Sequence, residues 1–204
     1  MADIETFRTS IFARAKSIIL EPGKAWQAIA AEDTTTTEIF RTYVLPFALI
    51  GPFAGFIGGR LFGTGVYGPL ASGGTLSQLV GAAVALVLTL ICYVVLTQIV
   101  EGLSPRFGGK TSSVAAAKLV AYSSTPIWLV GLFSLVPMLA PLSVLAFYSI
   151  YLAYRGVSPV MEVPAERSGG FTLAFVGCGL VLNLIVVAFS LANVAIIRDM
   201  GLMN

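Results

Sequence analysis

Apolar residues in this chain come in long blocks rather than in short alternations. Residues 43–59, 77–100, 114–135, 136–153 and 171–197 each carry at most one formal charge. Crossing a hydrocarbon layer of about 30 Å takes roughly 20 apolar residues in an α-helix, so the pattern predicts five transmembrane helices. The blocks show no strand-like period. The expected fold class is all-α: a polytopic membrane protein of five transmembrane helices, preceded by an amphipathic interfacial helix.

The segment before the first block has a different rhythm. Ile4, Phe7, Ile11, Ala15 and Ile18 recur three and four apart and share one helical face, while Arg8, Ser10, Arg14 and Ser17 fall largely elsewhere. Such a helix either lies in the membrane interface with its basic residues near lipid phosphates, the reading adopted here, or packs on the bundle. Pro22 suits the first turn of a second short helix. On that helix Trp26 is expected at the headgroup level as a depth anchor. Asp33–Thr37 reads as a polar linker, and Thr35 with Glu38 has capping-box spacing. The chain thus divides into an interfacial segment, residues 1–39, and a five-helix domain, residues 40–204.

Within the blocks, small and polar residues mark contacts. Gly51, Gly55 and Gly59 form a doubled GxxxG stripe where another helix can approach closely, read as a packing surface rather than a ligand site and as a contact for partners or a second copy. Pro46 and Pro52 should bend the same span. Tyr122, Ser123, Ser124 and Thr125 precede Pro126 near the middle of the third span. Pro126 must break a backbone bond there, and the hydroxyls either re-satisfy the freed carbonyls or line a small cavity. Any of Thr111, Ser112 and Ser113 could cap that span. Asn183 and Asn193 in the last span read as glue between helices. Tyr148, Tyr151, Tyr154 and Arg155 form an aromatic and basic girdle at the end of the fourth.

Composition sharpens the class. Apolar residues make up 57% of the chain and charged ones 11%, against about 25% charged in a soluble domain; the mean hydropathy is +0.91. A net charge of +2 gives no reason to expect nucleic acid. The positions of the charges say more. With the N-terminus inside, Arg8, Arg14, Lys16, Lys24, Arg41, Arg106, Lys110, Lys118, Arg155 and Arg167 fall on the cytoplasmic side, and only Arg60 and Arg198 outside. That bias predicts a cytoplasmic N-terminus and a C-terminus outside.

Little reactive chemistry remains. The chain has no histidine, which removes the commonest general base and metal ligand together. Cys92 and Cys178 sit inside apolar blocks and read as small hydrophobes rather than a disulfide or metal pair. Gly63-Thr-Gly65-Val-Tyr-Gly68 and Gly108-Gly109-Lys110-Thr111 resemble nucleotide-binding loops, but neither lies between a strand and a helix, so neither is read as a site. Glu162 and Glu166 have no base or ligand beside them. No enzyme activity, cofactor or metal is expected. Glu101 and Lys118, charges on facing spans, are candidates for an interhelical ion pair: a structural staple, or a relay for protons or solutes.

Several stretches resemble the Yip1 domain family in its bacterial form. Pro22, Trp26, Ile29 and Glu32 are similar to the family's start; so are Lys118, Ala121, Tyr122 and Pro126 in the third span, and the run Tyr148 to Gly156 followed by Pro164. The resemblance covers nearly the whole chain. It implies five spans, a cytoplasmic N-terminus and, for a bacterial member, the inner membrane. Eukaryotic relatives act in vesicle traffic and associate with one another and with prenylated small GTPases. This chain keeps Gly51-Pro52 but lacks the preceding acidic Asp-Leu and the long hydrophilic N-terminal region, so a GTPase partner is not expected. The expected partners are membrane lipids and other integral membrane proteins, a second copy among them. The expected function is a membrane scaffold, with a solute or ion path along the kinked third span as the alternative.

Overall fold

The structure, a computed structural model, describes the backbone of residues 2–62 and 75–199 and the side chains of residues 11–62, 75 and 78–188. The glycine-rich stretch 63–74, the side chains of Ile4, Phe7, Arg8, Ser10, Asn193 and Arg198, and residues 200–204 lie outside the described part. The described residues are helical, with no strand among them. Two short helices, α1 (Ala2–Leu20) and α2 (Pro22–Ala31), precede five segments long and apolar enough to cross a membrane: Thr36–Phe62, Gln78–Phe107, Ser113–Leu135, Pro137–Met161 and Ala165–Ala188.

Span 1 starts where the linker predicts. The Glu38 N–H donates to Thr35 Oγ1 (3.2 Å), capping α3 (Thr36–Ile39), while the Glu38 carboxylate accepts from the Thr34 hydroxyl at 3.0 Å. Both expected prolines leave a mark. One π-turn, Phe40–Val44, runs into α4 (Leu45–Ala48), which holds Pro46, and a break at Leu49 precedes α5 (Ile50–Phe62), which holds Pro52. A missing proline N–H leaves a carbonyl one turn back unpaired, and a locally widened or interrupted helix accommodates it.

Span 2 is one long helix, α6 (Thr75–Leu103), closed by a 3₁₀ turn, Ser104–Phe107. Span 3 is capped by Ser112, whose Oγ accepts from Ala115 N–H at 3.3 Å. It breaks at Ser124 into α7 (Ser113–Ser123) and α8 (Thr125–Val130), then tightens to a 3₁₀ turn, Gly131–Leu135. Span 4 begins as an 11-residue 3₁₀ stretch, Pro137–Phe147, and continues as α9 (Tyr148–Met161). Span 5 is α10 (Ala165–Asp199).

The core sits on span 3. In its most apolar window 61% of residues are buried inside the protein, against 6% for span 2 and 17% each for spans 4 and 5, so span 3 is the axis and span 2 lies at the periphery. Alanines at 115, 116, 117 and 121, all buried, make α7 slim enough for neighbours to approach from several sides. The starts of spans 1, 3 and 5 and the ends of spans 2 and 4 lie at one end of the bundle. There Lys110 and Glu162 join two turns with an ion pair of 2.6 Å, and Lys110 N–H donates to the Met161 carbonyl. Glu162 takes a left-handed conformation, φ 58°, to end α9.

Packing ignores the boundary at residue 39/40. Ile18, Trp26 and Ile29 belong to the same core as Leu119, Val157 and Met161. The periodic face of α1 is correspondingly not a lipid-facing one: Ile11, Ala15 and Ile18 turn inward onto the bundle. The interfacial reading of that face gives way because the short apolar stripe finds protein to cover it. The large apolar residues left outward on the described part of α1 are Phe12 and Leu20, each 65% exposed.

Candidate functional site

Two irregular helices meet at the middle of the bundle. Pro126 has no N–H to offer the Tyr122 carbonyl, and Thr125 Oγ1 supplies the missing proton at 2.7 Å. Since that hydroxyl has spent its one hydrogen, the 2.7 Å contact between Tyr43 and Thr125 must be Tyr43 O–H donating to Thr125 Oγ1. The π-turn of span 1 is thereby tied to the break of span 3 by a chain of two hydrogen bonds. Ser123 Oγ turns back to the Val120 carbonyl at 3.4 Å. Of the predicted polar group, Tyr122, Ser123 and Thr125 are buried, Ser124 is half-buried at the break, and Pro126 is buried at the start of α8.

Aromatic rings fill the space around this joint. Tyr43 contacts Tyr122 (centroids 4.5 Å), Phe47 (4.7 Å) and Trp128 (6.3 Å), and Phe47 stacks on Trp128 at 6.1 Å. The hydroxyls thus patch a kink inside an aromatic cluster. The cluster was missed in the sequence because Tyr43, Phe47 and Trp128 stand in apolar runs where an aromatic ring carries no special signal.

Trp26 is corrected from an interfacial anchor to a core residue. It is fully buried, edge-on to Tyr122 at 6.3 Å. It lies against Gly156, where a Cβ would come within 2.6 Å of its Cε2 and Cζ2 atoms. The glycine makes a socket, and burial of a large ring in it outweighs the preference of tryptophan for headgroups. Of the predicted girdle, Tyr151 and Tyr154 are 44% and 49% exposed and Arg155 is exposed beside Gly23, while Tyr148 is half-buried and donates to the Ile19 carbonyl at 2.9 Å.

The expected Glu101–Lys118 pair does not form. Lys118, buried on α7, donates to the Glu32 carbonyl at 2.5 Å, and Glu101 accepts from Ser113 Oγ at 2.7 Å. The carbonyl at the C-terminal end of α2 carries the negative end of the helix dipole, which gives the buried ammonium a partner already fixed in place. Glu32 also binds Arg14 with both carboxylate oxygens, at 2.6 and 3.0 Å, and the Arg14 guanidinium lies 5.5 Å over the Tyr122 ring. One residue thereby joins α1, α2 and α7. Nothing local in the sequence pairs Arg14 with Glu32, 18 positions on.

Gly51, at the start of the stripe, meets span 3 inside the chain: a Cβ on Gly131 would sit 2.9 Å from Gly51 Cα, and Gly58, outside the stripe, lies against the Ser134 carbonyl. Gly55 and Gly59 are buried. Self-association through Gly51, Gly55 and Gly59 is therefore corrected: the returning end of span 3 already occupies that side of α5. Asn183 is corrected too. It is exposed on α10 and has no hydrogen-bond partner among the described residues. Cys92 and Cys178 are free and half-buried. Among the described residues, no group of three acidic, cysteine or histidine side chains could hold a metal.

The family model of the Yip1 domain matches residues 16–189. No curated protein and no solved structure matches the chain.

Proposed function

The chain belongs to the Yip1 domain family, and on that basis we propose that it is a non-enzymatic membrane scaffold that associates through its outer surface with other membrane proteins and lipids. The observation that carries this reading is Asn183. Its amide shares an α10 stripe with Leu180 and Val187, which are 60% and 46% exposed. An amide facing hydrocarbon without a partner is costly, and a hydrogen bond to a neighbouring span relieves it, worth about 0.6–2 kcal/mol in membranes. The ring-packed joint at Thr125 supports the same reading, since it leaves the outer faces of α6 and α10 as the surfaces able to act.

In this reading the bundle lies in the cytoplasmic membrane with its basic end inside. Arg14, Lys16, Lys24, Arg41, Arg106, Lys110, Arg155 and Arg167 crowd that end, and Arg60 stands at the other. A photo-crosslinking residue in place of Leu184, activated in intact membranes, tests the scaffold. Discrete protein adducts that Asn183→Leu removes from a still-folded chain support it. Lipid adducts alone, or protein adducts indifferent to Asn183→Leu, contradict it.

A further inference from the structure

Turning its periodic face inward leaves α1 with a second face that the protein does not cover. Phe12, Lys16 and Leu20 follow one another at intervals of four, so apolar, basic and apolar side chains form one outward stripe. Beside it, α1 and α2 enclose an open groove of about 420 Å³ whose lining includes Lys16, Ser17, Leu20, Glu21 and Lys24. Lys24 pairs with Glu21 at 2.7 Å, an exposed pair that water screens. Lys16 has no ion-pair partner among the described residues. Two cations, Lys16 and Lys24, therefore face one carboxylate, Glu21.

The depth is right for a headgroup. Trp26, one turn beyond Pro22, packs on Leu119 and Gly156. Leu119 is six residues into α7 and Gly156 five from the end of α9, which is about 7–9 Å below the bundle end at 1.5 Å per residue. The groove opens on the outer side of the same α2, near that end of the bundle.

We propose that the α1–α2 groove binds the phosphodiester headgroup of an anionic phospholipid. Lys16 and Ser17 hold the phosphate, Lys24 adds charge beside them, and Phe12 and Leu20 lie along the acyl chains. The proposal rests on the membrane-scaffold reading and names one lipid partner of it.

The purified full-length chain in a non-ionic detergent is titrated with phosphatidylglycerol or phosphatidylcholine, and bound lipids are counted by native mass spectrometry. Phosphatidylglycerol should be retained in preference to phosphatidylcholine. Lys16→Ala and Lys24→Ala should each weaken its binding about fivefold, the worth of one basic residue at an anionic surface. Glu21→Gln, which frees Lys24, should strengthen it. All three residues lie on the surface of the α1–α2 pair, and unchanged thermal stability confirms that the variants fold. Equal retention of both lipids, or unchanged binding in the Lys16→Ala/Lys24→Ala double variant, overturns the proposal. Displacement of the lipid by millimolar glycerol phosphate also overturns it, by assigning the groove to a free phosphate ester. None of these results bears on protein adducts at Leu184, so the groove and the scaffold can fail separately.

Discussion

Gly156→Ala isolates the contact that seats α2 on the bundle. The new methyl would lie 2.6 Å from two atoms of the Trp26 ring and 2.8 Å from Leu119 Cδ1, where carbon atoms at rest keep about 3.5–4.0 Å. Trp26 and Leu119 are both fully buried, so neither side chain has open space to move into. Relieving an overlap of about 1 Å means shifting α2 away from α9, and over-packing of this kind costs about 1–3 kcal/mol. Against that, alanine is the better helix former by about 0.5–1 kcal/mol, so a net loss of about 1–2 kcal/mol is expected. Equilibrium unfolding in mixed micelles measures it. Trp26→Phe supplies the control: it trims the ring atoms that collide and is itself destabilising, by the volume it leaves empty. In the double variant the methyl occupies that space. The two changes should therefore be less than additive, with a favourable coupling of about 1 kcal/mol, within the range found for residues in contact. Gly156→Ala as stable as the parent, or strictly additive with Trp26→Phe, refutes the socket.

Other substitutions test the remaining contacts. Gly131→Ala brings a methyl 2.9 Å from a backbone atom of Gly51, which cannot rotate away, and should cost about 2–3 kcal/mol in the same assay. Gly102→Ala has open space within 4 Å and should be neutral or stabilising by about 0.5–1 kcal/mol. Thr125→Val strands the Tyr122 carbonyl and the Tyr43 hydroxyl in the core and should cost about 1–3 kcal/mol, while Thr125→Ser keeps both bonds and most of the stability. Glu101→Gln and Lys118→Met, whose partners lie elsewhere, should add within about 0.5 kcal/mol in a double-mutant cycle; a larger coupling would restore the ion pair.

The five spans were legible because each is a contiguous apolar run, and length alone separates such a run from a soluble helix. The caps at Thr35 and Ser112 and the break at Pro126 were legible for a local reason as well: each depends on residues within four positions of one another. What was misjudged depends on distance. Trp26 carries the same apolar body and polar edge whether it meets headgroups or Gly156, 130 positions on, and only the fold decides which. Lys118 chose a backbone carbonyl over Glu101, and a backbone carbonyl leaves no trace in side-chain identity. The GxxxG stripe announced close packing at Gly51 without saying that Gly131, in the same chain, would fill it. The periodicity of α1 showed that one face is apolar, yet periodicity does not say whether lipid or protein covers it. The stripe that stays outside, Phe12, Lys16 and Leu20, is the shorter one and has a lysine at its centre.

A closed interior leaves the outer surface of the bundle to act. Ser123→Cys in a chain carrying Cys92→Ala and Cys178→Ala, embedded in membrane vesicles and treated from each side with a membrane-impermeant thiol reagent, tests this most directly. Ser123 is 2% exposed and surrounded by protein, so the account predicts no labelling from either side and full labelling after denaturation. Rapid labelling of the folded chain would reveal a water path to the break in span 3 and would contradict it.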